Sequence, residues 1–127
     1  LRLQPRRRLR RFGFSPADAS GAPWLPQPAD WGERSVEAQA GDETSTLELY
    51  RTALQQRREH PALGDGTLTW LNAPAGVLAF HRDPGFTCVV NLSTEPYPLS
   101  DHTSVLLASG PVQDGLLAPD HAVWLEM

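Results

Sequence analysis

The chain has 127 residues, with 11 basic side chains against 15 acidic ones and a formal net charge of −4. That length suits about one domain, and the acidic balance argues against a dedicated nucleic-acid binder. At 40% hydrophobic and 20% charged it is too poor in charge for a highly charged disordered chain. No apolar run approaches the ~20 residues of a membrane span, and no signal-peptide core follows the basic start. One cysteine, Cys88, excludes an internal disulfide framework and a multi-cysteine zinc site.

Every basic residue is arginine, a bias that GC-rich codons produce. Six of the eleven (Arg2, Arg6, Arg7, Arg8, Arg10 and Arg11) open the chain, leaving five arginines against all fifteen acids in the remainder. Residues 1–11 therefore read as an Arg/Leu/Pro tail. Six positive charges would release counterions on a polyanion, but a solvated tail, or sequence that is not natural coding, is the preferred reading. The chain begins with Leu1 rather than methionine and is expected to be part of something longer.

Residues 12–43 carry Pro16, Pro23, Pro26 and Pro28 among Phe12, Phe14, Trp24 and Trp31. Prolines at that density forbid a long helix or a central strand. The aromatics are too apolar for a solvated linker, so an irregular arm lying against another surface is expected. A helix follows over about 45–60. Ser45 and Glu48 form a capping box, Leu47, Tyr50 and Leu54 recur at helical spacing with Leu49 and Ala53 widening the stripe, and Arg57, Arg58 and His60 suit the dipole's carboxyl end. Pro61 ends it.

From residue 66 the period becomes two. Thr67–Leu71, Val77–Arg82 and Phe86–Leu92 read as strands separated by an Asn72–Gly76 loop and an Asp83-Pro84-Gly85 turn. Phe86–Leu92 is expected to be buried on both faces near its middle. Tyr97–Leu99 is a weaker strand; Ser104–Ala108 and Ala122–Glu126 complete an antiparallel sheet or small sandwich.

Chemistry-bearing motifs are scarce. There is no phosphate loop, dinucleotide fingerprint or metal-protease motif. His60, His81, His102 and His121 are scattered through unrelated elements, too few in any one place for a metal site. Ser100-Asp101-His102 contains the letters of a catalytic triad, but triad residues converge from separate elements, so a polar turn is expected. Cys88, on an alternating apolar face, reads as a small core hydrophobe. Asp42 and Glu43 precede the helix, where its dipole favours negative charge; Asp101, Asp114 and Asp120 lie in loops, and nothing singles out a glycosidase-like pair. Trp70 and Trp124 are expected in the core, with a sugar-stacking platform as the other reading of the tryptophans.

Several tracts taken in order carry a resemblance: Gly13-Phe14-Ser15, Pro23-Trp24-Leu25-Pro26, Ser35-Val36-Glu37-Ala38-Gln39, Asp42 to Thr46, Leu49-Tyr50-Arg51, Arg57-Arg58, His60-Pro61-Ala62-Leu63, the strand from Gly64 to Leu71, and Cys88-Val89-Val90-Asn91-Leu92-Ser93. Over roughly residues 12–127 the chain resembles the C-terminal end of an α-amylase-superfamily α-glucosidase, in the oligo-1,6-glucosidase and trehalose-hydrolase-like branch. The resemblance implies that catalysis belongs to a (β/α)8 barrel upstream, that 45–60 is its last helix, and that a small antiparallel domain follows. The family's nucleophilic aspartate, acid/base glutamate and stabilising aspartate all lie well before the Gly-Phe tract and have no counterpart here. Where the family carries an Arg-x-Pro-Met-Pro-Trp-like stretch, this chain has Leu9-Arg10-Arg11-Phe12, as an out-of-frame reading of GC-rich DNA would give. The expectation is a truncated or frame-shifted remnant, or a fragment.

The sequence thus predicts a mainly β fold, an antiparallel sandwich-like C-terminal domain preceded by one amphipathic helix and an irregular Pro/Trp-rich arm. The divisions are 1–11 (tail), 12–63 (arm plus last barrel helix) and 64–127 (β domain). No catalytic, substrate-binding or metal residue is assigned, and no cofactor. The expected role is a non-catalytic, cytoplasmic support for the parent's missing barrel, inactive alone. The parent would cleave α-glucosidic bonds with retention. An α-glucoside or oligosaccharide is the possible ligand, with neither nucleic acid nor membrane as partner. The rival reading is a free-standing carbohydrate-binding β-sandwich.

Overall fold

A computed structural model of the chain describes Ser20 and residues 24–127; the Arg-rich tail and the Phe12 and Phe14 tract lie outside the described residues. The chain divides into two compact units, Leu1–Glu48 and Leu49–Met127.

In the first unit the proline-rich arm holds a 3₁₀ turn, Ala29–Arg34, and a single α-helical turn, α1 (Val36–Gln39). Ser35 caps α1: its Oγ accepts from the Ala38 N–H at 3.2 Å and its hydroxyl donates to the Gly32 carbonyl at 2.9 Å. Ser35 is buried while its neighbours are exposed, as expected of a cap satisfying otherwise orphaned backbone groups. Gln39 links α1 to the long helix α2 (Thr46–Glu59). Its amide donates to the Arg34 carbonyl at 2.6 Å, and its oxygen accepts from the Leu47 N–H at 3.1 Å.

The capping box is half realised. Ser45 Oγ accepts from the Glu48 N–H at 3.2 Å, but Glu48 reaches past Ser45 to the Gly41 N–H at 3.0 Å, because the Ser45 N–H already donates to the Asp42 carbonyl at 2.9 Å. α2 then runs to Glu59 and contains no buried residue; Tyr50 is 65% exposed and Leu54 48%.

The second unit is built on an antiparallel sheet in the order β1-β2-β3-β7-β5, formed by β1 (Leu68–Trp70), β2 (Val77–Arg82), β3 (Phe86–Asn91), β7 (His121–Glu126) and β5 (Ser104–Ala108). A two-stranded ribbon pairs β4 (Tyr97–Pro98) with β6 (Leu116–Leu117); β6 is too short to leave a period-two signal and was not expected from the sequence. Partners across the ladders project to the same face. Val77↔Asn91, Ala79↔Val89 and Val89↔Val123 define one face, and Phe80↔Cys88 and Cys88↔Trp124 the other.

Both faces carry a core. On the first, Val77, Ala79, Val89, Val123 and Leu125 pack with Leu117 of the ribbon. On the second, Phe86 and Cys88 pack with Ala62, flanked by Leu63, Phe80, Val90, Leu106 and Trp124. This accounts for the continuous burial of β3, the central strand, in which five of six residues are buried. The fold is therefore mainly β and sandwich-like, as the sequence predicts. Strand β5 takes a bulge between Val105 and Leu107, which shifts its register on β7.

Candidate functional site

Two features of the second unit can bear function: a polar clamp where α2 meets the sheet and an open apolar face.

The clamp begins where α2 stops. His60, the last residue before Pro61, is the cap of a 3₁₀ turn over Pro61–Leu63, and its Nδ1 accepts from the Ala62 N–H at 3.2 Å. A ring nitrogen that accepts carries no proton, so Nε2 is the donor, and it faces Glu126 Oε2 at 2.7 Å. The ring meets Phe86 edge-on at 5.5 Å, and Phe86 meets Trp124 in the same way at 5.5 Å.

Arg82, at the end of β2, completes the clamp. Its Nε donates to the Ala62 carbonyl at 2.7 Å, and one terminal nitrogen donates to the Gly64 and Gly66 carbonyls at 2.9 and 2.8 Å. A planar guanidinium suits this task because its donors diverge in a fixed fork. Gly66 permits the close approach: a Cβ there would lie 2.2 Å from the Asp83 carbonyl oxygen and 2.5 Å from that of Ala62. One arginine and one histidine thus tie the helix end to two strands.

Beyond the clamp the second sheet face is uncovered. Trp70 is 65% exposed, Leu78 50% and Leu68 42%. This overturns the expectation that Trp70 lies in the core. β1 is an edge strand whose residues are all exposed, and Trp70 only meets Phe80 edge-on at 5.7 Å. Trp124, on the inner strand β7, is half-buried within the Phe86 and Cys88 cluster. Trp24 is fully exposed and Trp31 is at the border of exposure. Along α2, Leu49, Tyr50 and Ala53 face Leu107, Ala122 and Trp124 across an open apolar groove of about 260 Å³.

The residues weighed for catalysis do not assemble. His102 Nδ1 bonds the Ser100 carbonyl at 2.8 Å in an exposed loop, which leaves no hydroxyl–imidazole–carboxylate order in Ser100-Asp101-His102. The structure does create that order elsewhere, unseen in the sequence. His81 lies between Thr87 Oγ1 at 3.0 Å and Asp83 Oδ1 at 3.2 Å. The register of the β2–β3 hairpin, which opposes His81 and Thr87, is the signal that would have found it. Thr87 is only 4% exposed, so no substrate carbonyl can reach its oxygen.

A polar hollow in the first unit is lined by Glu33 and Asp42. The Thr44 hydroxyl and N–H, at 2.7 and 2.9 Å, hold the Asp42 carboxyl below its ordinary 3.8. That keeps it ionised, the wrong state for a proton donor near neutrality. Asp114 and Asp120 hold left-handed turn conformations. Cys88 is buried, and desolvation pushes its thiol up to about 11, opposed in part by the Trp124 indole, so it is the inert core residue the sequence predicts. Among the described residues no group of three or more His, Cys, Asp or Glu side chains is placed to hold a metal ion, and no helix is long and apolar enough to cross a membrane.

No family model matches the chain. It is 36% identical over 86 residues to a probable α-glucosidase of Rhizobium meliloti, covering 65% of this chain and 15% of that protein. It is 41% identical over 101 residues to the trehalose synthase/amylase TreS of Mycobacterium tuberculosis, covering 71% and 17%. The chain thus spans 15–17% of the length of these curated relatives. The trehalulose synthase MutB from Pseudomonas mesoacidophila superposes over 84% of this chain and 22% of its own, with a TM-score of 0.65 and 27% identity. The trehalose-6-phosphate hydrolase of Bacillus licheniformis shares the fold, with a TM-score of 0.63 at 18% identity.

Proposed function

Because this chain shares the sequence and fold of the C-terminal region of α-glucosidase-type enzymes in the α-amylase family, we propose that it is a non-catalytic module that buttresses a catalytic (β/α)8 barrel. In this reading 12–63 comprise the arm and the barrel's last helix, and 64–127 the supporting domain. The parent's reaction would be retaining hydrolysis of α-glucosidic bonds through a covalent glycosyl-aspartate, in the cytoplasm. None of the carboxylates that perform it is assigned to this chain.

The observation that carries the reading is the uncovered apolar surface beside a rigid clamp. Tyr50, Leu54, Leu68, Trp70 and Leu78 are each 42–65% exposed. Fully burying such side chains is worth about 1.5–3 kcal/mol each. A barrel seated there would recover much of that, while the Arg82 and His60 bonds would hold its last helix at a set angle to the sheet.

The test is hydrolysis of p-nitrophenyl α-glucoside by the purified chain alone. No turnover above a buffer blank is expected. Turnover abolished by substituting a carboxylate of this chain would overturn the proposal.

The exposed indole of Trp70 favours a second reading, a carbohydrate-binding module with Trp70 as stacking platform. That reading requires a fluorescence shift with maltodextrin, absent with an unrelated polymer, that is lost in Trp70→Ala.

A further inference from the structure

The five-stranded sheet has two edges, and they are not guarded alike. β5 takes the bulge between Val105 and Leu107, a device that turns an edge away from new pairing. β1, at the other end of the strand order, pairs with β2 in unbroken register. The run from Gly66 to Ala73 holds no charged residue and no proline, and Leu68, Thr69, Trp70 and Leu71 are all exposed. The backbone shows which groups of this strand are spent. The Thr67 carbonyl accepts from the Asp83 N–H at 3.2 Å, and the Leu71 N–H donates to the Ala79 carbonyl at 2.9 Å. Both bonds belong to the register that sets Thr69 against His81, so residues 67, 69 and 71 turn their backbone groups toward β2. Leu68 and Trp70 alternate with them and turn theirs out of the sheet, where no strand lies among the described residues. Outward N–H and C=O groups on an uncharged edge are a template for another extended chain. We propose that the chain forms a two-fold dimer by antiparallel pairing of β1 with β1 of a second copy.

A second copy is the occupant because the edge is complementary to itself. A two-fold axis through Thr69 sets Leu68 of each copy opposite Trp70 of the other. The residues with outward groups then meet in hydrogen-bonded pairs, each exchanging both of its N–H and C=O bonds. Thr69 faces Thr69, a stabilising cross-strand pair, while Leu68 against Trp70 sets apolar against apolar. On either side Thr67 meets Leu71 and Gly66 meets Asn72, so no like charges are opposed. The strip is narrow: at about 3.4 Å per residue, the five residues of Thr67–Leu71 span roughly 17 Å. That falls short of the roughly 1,200 Å² at which standard interfaces begin, so the dimer is weak and depends on concentration. The pairing runs in the plane of the sheet. It leaves the second face open to a barrel and does not depend on that reading.

The experiment is sedimentation equilibrium of the full chain from about 10 µM to about 1 mM, with amide hydrogen exchange at both ends of that range. A monomer–dimer equilibrium with a dissociation constant on the order of 100 µM is expected. Exchange at the Leu68 and Trp70 amides should slow as concentration rises, while Leu71, bonded to Ala79 in either state, stays unchanged. In Thr69→Lys like charges would meet across Cα atoms about 4.5 Å apart, weakening the dimer about fivefold or more. Thr69→Glu should do the same, and an equimolar mixture of the two variants should restore association to within about threefold of the parent. Thr69 is exposed and projects to the face away from Trp70, so stacking of the apolar faces would not respond to it. A chain that stays monomeric to about 1 mM, a dimer indifferent to Thr69→Lys, or a mixture that does not reassociate would each overturn the proposal. The exchange measurement needs no variant: rates at Leu68 and Trp70 that do not change with concentration would overturn it even if neither charged variant folded.

Discussion

Replacing Arg82 by alanine tests the clamp most directly. The side chain makes three hydrogen bonds, of which those to the Ala62 and Gly66 carbonyls are part-buried and that to Gly64 is exposed. Each part-buried bond is worth about 1 kcal/mol net, and the exposed one less. Ala62 is fully buried, so its carbonyl, left without a donor, adds about 1–3 kcal/mol. The expected loss is about 3–5 kcal/mol, read as a fall in the urea midpoint followed by tryptophan fluorescence. With a slope of about 2 kcal/mol per molar urea, that is a shift of roughly 1.5–2.5 M. Arg82→Lys keeps the charge, but one ammonium cannot span three carbonyls, so about half the loss should remain. Hydrogen exchange at residues 60–66 should quicken in both variants. If Arg82→Ala unfolds within about 0.5 kcal/mol of the parent, the clamp is decorative and the reasoning fails.

Other expectations concern the core and the open face. Asn91→Ala should cost about 2–4 kcal/mol, and Asn91→Asp at least as much at neutral pH, because a buried carboxylate would face the Glu95 and Leu117 carbonyls; urea unfolding showing Asn91→Asp milder would contradict this. Cys88 titrates near 9.0 unfolded but is raised to about 11 in the folded chain. Its contribution is therefore complete below pH 9 and lost as pH rises through about 11, a decline of at most about 2.7 kcal/mol. Unfolding curves from pH 8 to 11 for the parent and Cys88→Ala should diverge by that amount, and coincident pH profiles would exclude it. Trp70→Ser with Leu78→Ser, both on the open face, should change stability by less than about 1 kcal/mol while lowering binding of an apolar dye and self-association seen by light scattering; a large loss of stability would mean the face is already covered.

Much of this molecule was legible in its residues. Period-two alternation located Val77–Arg82, Phe86–Asn91 and Ser104–Ala108, and a serine cap, an apolar stripe and a proline bounded the helix to within a residue of Thr46–Glu59. These signals are local: side-chain direction follows from backbone geometry alone, so a few adjacent residues suffice to reveal it. The ordered tracts from Gly13 to Ser93 pointed to a family whose members share this fold.

Tertiary structure decided the rest. Trp70 and Trp124 look alike as strand tryptophans, yet one lies on edge strand β1 and the other on inner strand β7, and only strand order separates them. His60 and Glu126 are 66 residues apart and carry no mutual signal until the sheet brings them to 2.7 Å. The grip of Arg82 on three carbonyls depends likewise on loop closure. Local preference sets which elements form; contacts between distant residues set which faces remain open, and in this chain those open faces carry the functional argument.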